Sequence, residues 1–293
     1  PFFFQADDGI RDAQESRGLR DVYKRQNLEI SMSDILLHEV KDKTEVITFN
    51  NPEKLNVLSD QMLELLTKAL EKASRNSETK VVIIKSTGKA FCAGHDLKQM
   101  QKARNSSDKG LSYFKDLFHR CSKVMLAINK LPKPVIAEVQ GIATAAGCQL
   151  VATCDIAVAS KNASFGVNGV NIGLFCSTPM VALSRNISRK KTFEMLVTGD
   201  FLNAYQANEA GLINHVTEEN ELEDKSKEIA AKITEKFKRV VKIGKEAFYK
   251  QAEMSLEQAY EYTADVMAEN MIYEETNEGI SAFIEKRIPE WTE

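Results

Sequence analysis

The segment 133-KPVIAEVQGIATAAGCQLVATCDIAVAS-160 contains the pattern that decides the fold. Pro132 and Pro134 precede a strand-like stretch, since Val135–Val139 has the apolar, β-branched composition of a strand. A loop of small residues, 141–147, comes next, and 148–153 has helical character. Ile156–Ala159 is again typical of a strand. A strand, a small-residue loop, a helix and a second strand in direct succession indicate an α/β fold.

The same alternation extends upstream of this segment. Ile35–Val40 and Glu45–Phe49 predict two strands joined by a polar turn. Leu58–Ala73 places its apolar residues at helical spacing, and Leu111–Leu131 predicts another long helix. Lys80–Ser86 is a nearly continuous apolar run, which favours a strand covered on both faces.

Strand patterns stop near residue 218. We therefore predict an α/β core over residues 30–218 and a helical C-terminal subdomain over residues 219–293. The helical segments predicted after the core are Glu221–Phe237, Val240–Ala252, Ser255–Met271 and Glu274–Lys286.

The composition excludes several classes of function. The 293 residues are 43% hydrophobic and 28% charged, with a formal net charge of −3, which is ordinary for a globular protein with a packed core. Binding of nucleic acid needs concentrated basic charge, and the basic clusters of this chain are interleaved with acidic residues. One such cluster, predicted to be a solvated helix face, comprises Lys238, Arg239, Lys242 and Lys245. Because no apolar run reaches about 18 residues, we expect no membrane span.

The cysteine pattern argues against metal binding. The chain has five cysteines and four histidines, without a CxxC pair and without zinc-ligand spacing between the two residue types. An odd number of cysteines without a disulfide-like framework suits a reducing compartment. We predict no metal site.

Residues 1–26 differ from the rest of the chain, because they follow neither a helical nor a strand period. Within them, 5-QADDGIRD-12 differs at one residue from QAEDGIRD, the translation of a widely used sequencing adapter. Our hypothesis is that residues 1–26 are a non-native read artefact, so we exclude them from the fold. The alternative is a genuine disordered or targeting tail. Resequencing the transcript distinguishes the two, since a native codon run upstream of Asn27 contradicts the artefact.

Two loops of small residues carry the chemistry that the sequence suggests. Residues 88–98 (GKAFCAGHDLK) and 140–149 (QGIATAAGCQ) each follow an apolar strand and precede a helix-like stretch. Bare N–H groups at a helix N-terminus favour negative charge, so two such loops facing each other could hold an oxyanion or enolate. Taken singly, each loop is equally compatible with a tight turn that allows close packing.

Together, the two loops and their surroundings resemble one family. The chain is similar to the enoyl-CoA hydratase/isomerase, or crotonase, superfamily over about residues 30–293. The matching stretches are Asn51-Pro52 with 55-LNVL-58, 89-KAFCAGHDLKQM-100, 133–160 as quoted above, 164-SFG-166, 171-NIG-173, 196-LVTGD-200, 209-EAGLIN-214 and 279-GISAFIEKR-287.

This resemblance implies an architecture and a ligand. The expected fold is a spiral of ββα units with a helical C-terminal trimerisation subdomain, assembled as a homotrimer or a dimer of trimers. The expected ligand or substrate is an acyl-CoA thioester, with no further cofactor, in fatty-acid metabolism. Mitochondrial localisation is expected from the resemblance alone.

The resemblance also assigns roles to individual residues. The backbone N–H groups of His95 and Ala146 are expected to form the oxyanion hole; the family commonly has glycine at the second position, and alanine retains the N–H group. Phe283 and Lys286 match a C-terminal phenylalanine and lysine that help bind CoA, often across a subunit boundary. A plain solvated position is the alternative for Lys286. The remaining residues expected to contact CoA are Cys92, Ala93, Gly94, Asp96, Leu97 and Lys98.

The sequence departs from the family where hydration needs two glutamates. One proton must leave water while another reaches carbon, which requires titrating groups. Gln149 holds the first glutamate position and Gly169 the second, with Asn168 and Asn171 beside it. Carboxamides do not titrate, so classical hydratase or isomerase activity is doubtful.

Two functions therefore remain open. The chain is either an enolate-stabilising enzyme, such as a lyase or a malonyl-type CoA decarboxylase, or a non-catalytic acyl-CoA-binding homologue. The intact 89–98 loop argues against a purely structural oligomer. His95 could replace a lost base, because histidine titrates near neutrality, or could contribute only its N–H group. Glu138 is expected in a salt bridge or at an exposed edge, and Cys176 is expected to be a packing residue.

Overall fold

The computed structural model describes residues 35–291. The hypothesis about residues 1–26 lies outside this part of the chain. Residues 35–291 form two sheets, and the larger one has six strands in the order β1-β2-β3-β5-β7-β10. β1 and β2 form an antiparallel hairpin and the other pairs are parallel, which confirms the predicted α/β class. Its strands are β1 (Leu36–Lys41), β2 (Thr44–Phe49), β3 (Val81–Ser86), β5 (Val135–Val139), β7 (Ile156–Ser160) and β10 (His215–Thr217).

The smaller sheet has four strands of three residues each, in the order β4-β6-β8-β9. They are β4 (Ala90–Cys92), β6 (Ile142–Thr144), β8 (Ser164–Gly166) and β9 (Phe201–Asn203). Each of β3, β5 and β7 is thus followed by a short strand of this second sheet and then by helical structure. This repeated succession is a spiral of ββα turns, as expected.

Helices cover both faces of the larger sheet. The helices, numbered in chain order, are α1 (Asp60–Arg75), α2 (Leu97–Ala103), α3 (Leu111–Lys130), α4 (Ala146–Thr153), α5 (Pro179–Asn186), α6 (Arg189–Thr198), α7 (Ala204–Glu209), α8 (Leu222–Thr234), α9 (Lys238–Gln251), α10 (Leu256–Met271) and α11 (Glu274–Glu285). Short 3-10 turns occur at Pro52–Lys54, Asn168–Ile172 and Glu219–Glu221.

The main hydrophobic core lies between the sheet and helices α1, α3 and α4. Leu66 of α1, Val124 of α3 and Leu150 of α4 are buried there with Phe49 and Phe91. Each such side chain contributes about 1.5–3 kcal/mol when fully removed from water. A smaller cluster forms on the opposite face, where strand residues such as Ile83 and Val158 pack against α8. Two layers of helices therefore hold the carboxyl ends of the strands in fixed positions.

Four helices follow the last strand, α8 to α11, in agreement with the helical C-terminal segments predicted from the sequence. The division into a core and a C-terminal subdomain stays a prediction. α10 has no buried residue, and α11 exposes Phe283 (86%) and Ile284. No helix within residues 35–291 is long and apolar enough to cross a bilayer.

The prediction of a solvated basic face on α9 is wrong for Lys245. Its side chain is buried, and its Nζ lies 2.6 Å from the Asp155 Oδ2 atom. Nζ also donates to the backbone carbonyls of Ile128 and Lys133. Burial lowers the pKa of Lys245, and the Asp155 carboxylate opposes that shift. Lys245 and Asp155 are 90 positions apart in the sequence, so no local sequence pattern predicts that they pair.

The expectation for Glu138 is also wrong. Glu138 lies on β5 inside the sheet and is 8% exposed, and Ser226 on α8 donates a short hydrogen bond to its carboxylate. Burial raises the pKa of Glu138 above its ordinary value, although the Ser226 hydrogen bond and Lys85 act in the opposite direction. The carboxylate is therefore neither at an exposed edge nor in a direct salt bridge.

Glu138→Gln is expected to raise the melting temperature at pH 7. A carboxyl group whose pKa is raised by folding disfavours the fold once it ionises, so it costs stability as pH rises above the unfolded value. The carboxamide still accepts the Ser226 hydrogen bond but carries no charge. The gain should shrink below about pH 4.5, where the carboxyl group is protonated in both states.

Thermal unfolding of the two proteins at several pH values measures this difference. The matched control is Glu223→Gln, because Lys227 lowers the pKa of the exposed Glu223. That variant should lose stability or stay unchanged at pH 7. Equal shifts for both variants would contradict a burial cost at Glu138.

Candidate functional site

The two small-residue loops begin at neighbouring strands of the smaller sheet. β4 and β6 are parallel, with Ala90 opposite Ile142 and Cys92 opposite Ala143. The carboxyl ends of adjacent parallel strands lie at the same edge of a sheet. The chain therefore leaves β4 into residues 93–95 directly beside the place where β6 continues into α4.

The loops touch because glycine occupies two contact positions. Gly94 has a φ of +85°, and a Cβ there would lie 3.0 Å from the Ala145 Cβ and 3.4 Å from the Ala146 nitrogen. A Cβ at Gly147 would overlap the backbone carbonyl of Cys92. Any larger side chain at Gly147 would push the two loops apart, so this glycine is a packing requirement.

The amides of Ala146 and His95 have no protein acceptor within residues 35–291. Ala146 is the first residue of α4, so its N–H group has no intrahelical acceptor. In the bridge between Leu58 and His95, the Leu58 N–H donates to the carbonyl of Gly94, which leaves the His95 amide unused. Two N–H groups from adjacent strands can thus serve one negatively polarised oxygen.

The backbone before α4 is strained. Ala145 has a φ of +50° and a ψ of −118°, a region that alanine rarely adopts. Its own amide donates to the carbonyl of Gly166 on β8. This conformation turns the chain abruptly into α4, so that the positive end of the helix faces the 93–95 loop.

Asn56 fixes the backbone around the first loop through hydrogen bonds. This fully buried residue has a φ of +52°, and its Nδ2 donates to the carbonyls of Thr87 and Ala90, each at 2.8 Å. Its Oδ1 accepts from the Asn51 amide. Asn56 therefore joins the loops on both sides of β4. Asparagine tolerates this left-handed backbone better than most residues.

His95 is half-buried, and its two ring nitrogens are shielded from solvent without a hydrogen bond of good geometry within residues 35–291. Both ring nitrogens are unpaired, and the ring packs edge-on against Phe118 at 5.5 Å. Burial lowers the pKa of His95, while the Leu58 backbone carbonyl acts in the opposite direction and the cation of Arg120 again lowers it. At neutral pH the ring is therefore an uncharged imidazole, which can donate one hydrogen bond and accept one.

Gln149, which is predicted to hold the first hydratase glutamate position, is 4% exposed. Its Oε1 has no partner within residues 35–291. It lies on α4 three residues after Ala146, on the same side of the helix. An unpaired buried acceptor typically costs about 1–3 kcal/mol, so a ligand or water that donates a hydrogen bond here is favoured.

Gly169, which is predicted to hold the second such position, has no room for a side chain. A Cβ there would overlap the carbonyl of Leu174 and lie 2.8 Å from the Cys176 Sγ. The Gly169 carbonyl also accepts the Leu174 amide at 2.9 Å. Residues 174–176 therefore occupy the volume that a glutamate at 169 would need.

All five cysteines are buried. Burial raises the pKa of Cys92, Cys121 and Cys148 to about 12 each, and it raises the pKa of Cys176, although the Gly169 amide lowers it in part. Thiols with raised pKa values are poor nucleophiles at neutral pH. The five side chains act as packing residues.

The remaining predicted CoA contacts lie on different surfaces. The Asp96 carboxylate caps α2 by accepting from the amides of Lys98 and Gln99. Leu97 is exposed where α2 begins. Phe283 on α11 and Lys286 at the C-terminal cap of that helix are exposed, and no described hydrogen bond or ring contact joins them to the 92–98 loop. Their roles in binding CoA stay predictions.

The sequence profile of the enoyl-CoA hydratase/isomerase family matches residues 39–293. The chain therefore belongs to this family, whose solved members share its fold.

Several individual proteins of this family are similar to the chain over most of its length. The chain is 42% identical over 285 residues to the mitochondrial enoyl-CoA hydratase domain-containing protein 3 of Danio rerio, with 97% of each chain covered. It is 45% identical to the human protein of that name, covering 84% of this chain and 80% of the relative. Crystal structures of that human protein (TM-score 0.83, 44% identity, 88% and 100% covered) and of an enoyl-CoA hydratase from Mycobacterium smegmatis (TM-score 0.84, 48% identity, 88% and 99% covered) superpose on it.

Sequence reasoning missed two features of the site. The first is the set of hydrogen bonds by which Asn56 joins the loops on both sides of β4. The second is a hydrogen bond of 2.7 Å from the Thr144 hydroxyl to the Asn168 Oδ1. Thr144 ends β6 and Asn168 follows β8, so only the three-dimensional pairing of these two strands brings the two residues together.

Proposed function

We propose that this protein binds acyl-CoA thioesters by hydrogen bonding the thioester carbonyl to the amides of His95 and Ala146, and that it does not carry out classical hydration. The observation that carries the proposal is the contact between the 93–95 loop and the N-terminus of α4. Neither Gln149 nor Gly169 offers a titrating group for activating water.

The test measures how much the thioester carbonyl contributes to affinity by comparing two ligands that differ only at that group. Butyryl-CoA and its thioether analogue S-butyl-CoA differ only in that oxygen, so the CoA contribution cancels. Two net hydrogen bonds of about 0.5–1.5 kcal/mol each predict a Kd lower by about 5- to 150-fold for butyryl-CoA. Isothermal titration of the intact protein measures both constants. Equal affinities would contradict the proposal.

Ligand pairs are preferable to a variant of the second donor. Ala146→Pro removes the N–H group at a helix position where proline is tolerated. It also restricts Ala145, whose ψ of −118° lies outside the region favoured before proline. A loss of acyl-CoA binding in Ala146→Pro would therefore reflect both the missing N–H group and the restricted backbone of Ala145.

An enolate-stabilising reaction is the second candidate. Two amides aimed at one oxygen stabilise an enolate without needing a base in the protein. Incubating the protein with crotonyl-CoA, malonyl-CoA and methylmalonyl-CoA, followed by mass spectrometry, separates turnover from binding. Rapid hydration of crotonyl-CoA would show that our interpretation of Gln149 and Gly169 is wrong.

We extend the proposal to assembly and location. The apolar residues exposed on α10 and α11, including Phe283 and Ile284, suit burial against another copy of the chain in a homotrimer. Sedimentation velocity should give the mass of three chains or of six. Relatives named as mitochondrial support a mitochondrial location, which imaging of the tagged native protein tests.

A further inference from the structure

The turn that leads into α4 has a backbone conformation that normally requires glycine. Ala145 has a φ of +50° and a ψ of −118°. These angles are those of the first central residue of a type II′ turn, where glycine dominates because it has no Cβ. An alanine in this conformation is strained, and such a residue persists only where its surroundings hold it in place.

Two hydrogen bonds hold the strained turn. The Ala145 amide donates to the carbonyl of Gly166 on β8 at 2.9 Å, and the Ala145 carbonyl accepts from the Gln149 amide at 3.0 Å. The Ala145 carbonyl and the Ala146 N–H belong to one planar peptide group. The ψ angle of Ala145 therefore sets the direction in which the Ala146 N–H points.

The Ala145 methyl group lies against the loop that carries His95. A Cβ at Gly94 would lie 3.0 Å from the Ala145 Cβ and 3.4 Å from the Ala146 nitrogen, so the methyl group and the Gly94 backbone are direct neighbours. The Gly94 carbonyl also accepts from the Leu58 amide at 2.8 Å, which anchors this loop independently of α4. The methyl group is thus a spacer between the two loops that carry the amides.

We propose that Ala145 is a positioning residue, whose strained turn and methyl group fix the separation and direction of the His95 and Ala146 amides. This inference rests on the proposed thioester binding and adds the residue that sets its geometry. Hydrogen bonds weaken steeply as they depart from linearity, so two donors serve one oxygen well only when both are held in place. Donors that are already held lose little freedom when a ligand binds.

Ala145→Gly should make the protein more stable and its carbonyl recognition poorer. Glycine adopts these angles without strain, so the melting temperature should rise by about 2–4 °C. Glycine also widens the range of ψ at this position and leaves a gap beside Gly94, so the two amides converge less well on one oxygen. The preference for butyryl-CoA over S-butyl-CoA should fall at least about 3-fold, while the Kd of S-butyl-CoA should change by less than about 2-fold.

Two control variants separate positioning from a general effect of glycine. Lys109→Gly places glycine at another residue with a positive φ, +55°, in the exposed turn before α3. It should raise the melting temperature or leave it unchanged, and it should leave the ligand preference intact. Ala145→Ser retains a Cβ and with it the contact to Gly94, so this variant should keep the preference of the wild type.

Isothermal titration of both ligands into the intact proteins, together with thermal unfolding, distinguishes the outcomes. If the wild type binds the two ligands equally, the proposed function fails, and the role of Ala145 fails with it. If the wild type prefers butyryl-CoA and Ala145→Gly keeps that preference in full, or weakens both ligands equally, thioester binding stands and the positioning role is refuted. A lower melting temperature for Ala145→Gly would show that the turn stores no strain.

Discussion

Lys245→Ala is expected to lower the free energy of unfolding by about 3–5 kcal/mol, the usual cost of removing one partner of a buried ion pair. The change leaves the Asp155 carboxylate without its cation. It also removes the only described side-chain donor to the carbonyls of Ile128 and Lys133. Asp155 keeps hydrogen bonds from the Val135 amide and the Tyr249 hydroxyl, which compensate only in part.

Urea unfolding followed by circular dichroism measures this loss. The matched control is Lys242→Ala, one turn earlier on α9, where the exposed lysine approaches Glu246 at 3.9 Å. Exposed pairs typically contribute no more than about 1 kcal/mol, so the control should stay close to wild type. Similar losses for both variants would mean that Lys245 is not the anchor of α9.

The position of Lys245 also has a functional consequence. It connects α9 to the ends of α3 and of the segment that leads into β5. β5 continues through β6 into Thr144 and the loop that carries the Ala146 amide. A weakened anchor should therefore lower the affinity for the proposed acyl-CoA ligand as well as stability, and isothermal titration of butyryl-CoA measures that change.

Much of the fold was predictable because long elements repeat their pattern many times. The pattern of Leu58–Ala73 predicts a helix, and the structure has that helix at Asp60–Arg75. Lys80–Ser86 predicts a strand, which corresponds to β3 at Val81–Ser86. The strands of the smaller sheet were not predicted individually, because three residues are too few to show a period of two. Yet β4 and β6 are the strands that bring the two loops together.

The sequence could predict where the candidate site residues lie along the chain, but it could not predict the shape of the space around them. The sequence placed Gln149 and Gly169 where glutamates are expected, but it could not show that residues 174–176 fill the space at 169. It placed Lys245 in a basic cluster, because its partner Asp155 is distant in sequence. Non-local packing decided each of these cases.

Gly169→Glu is expected to destabilise the protein by about 3–5 kcal/mol rather than to restore a hydratase glutamate. Overpacking typically costs about 1–3 kcal/mol, and a carboxyl group without a partner in a buried position adds to that cost. A Cβ at 169 overlaps the Leu174 carbonyl and crowds the Cys176 Sγ, so residues 174–176 must move before any side chain fits.

The controls make this result specific to the local packing. Gly244→Glu introduces the same residue at an exposed glycine on α9, where a Cβ meets nothing within 4 Å, and it should be neutral or stabilising. Gln149→Glu retains the shape of the side chain and should fold. Adding it to Gly169→Glu should still give no hydration of crotonyl-CoA, measured by loss of enoyl absorbance. A stable, hydrating double variant would show that only two side chains separate this site from a hydratase. The expected failure instead means that the backbone around position 169 has adapted to a site without a second carboxylate.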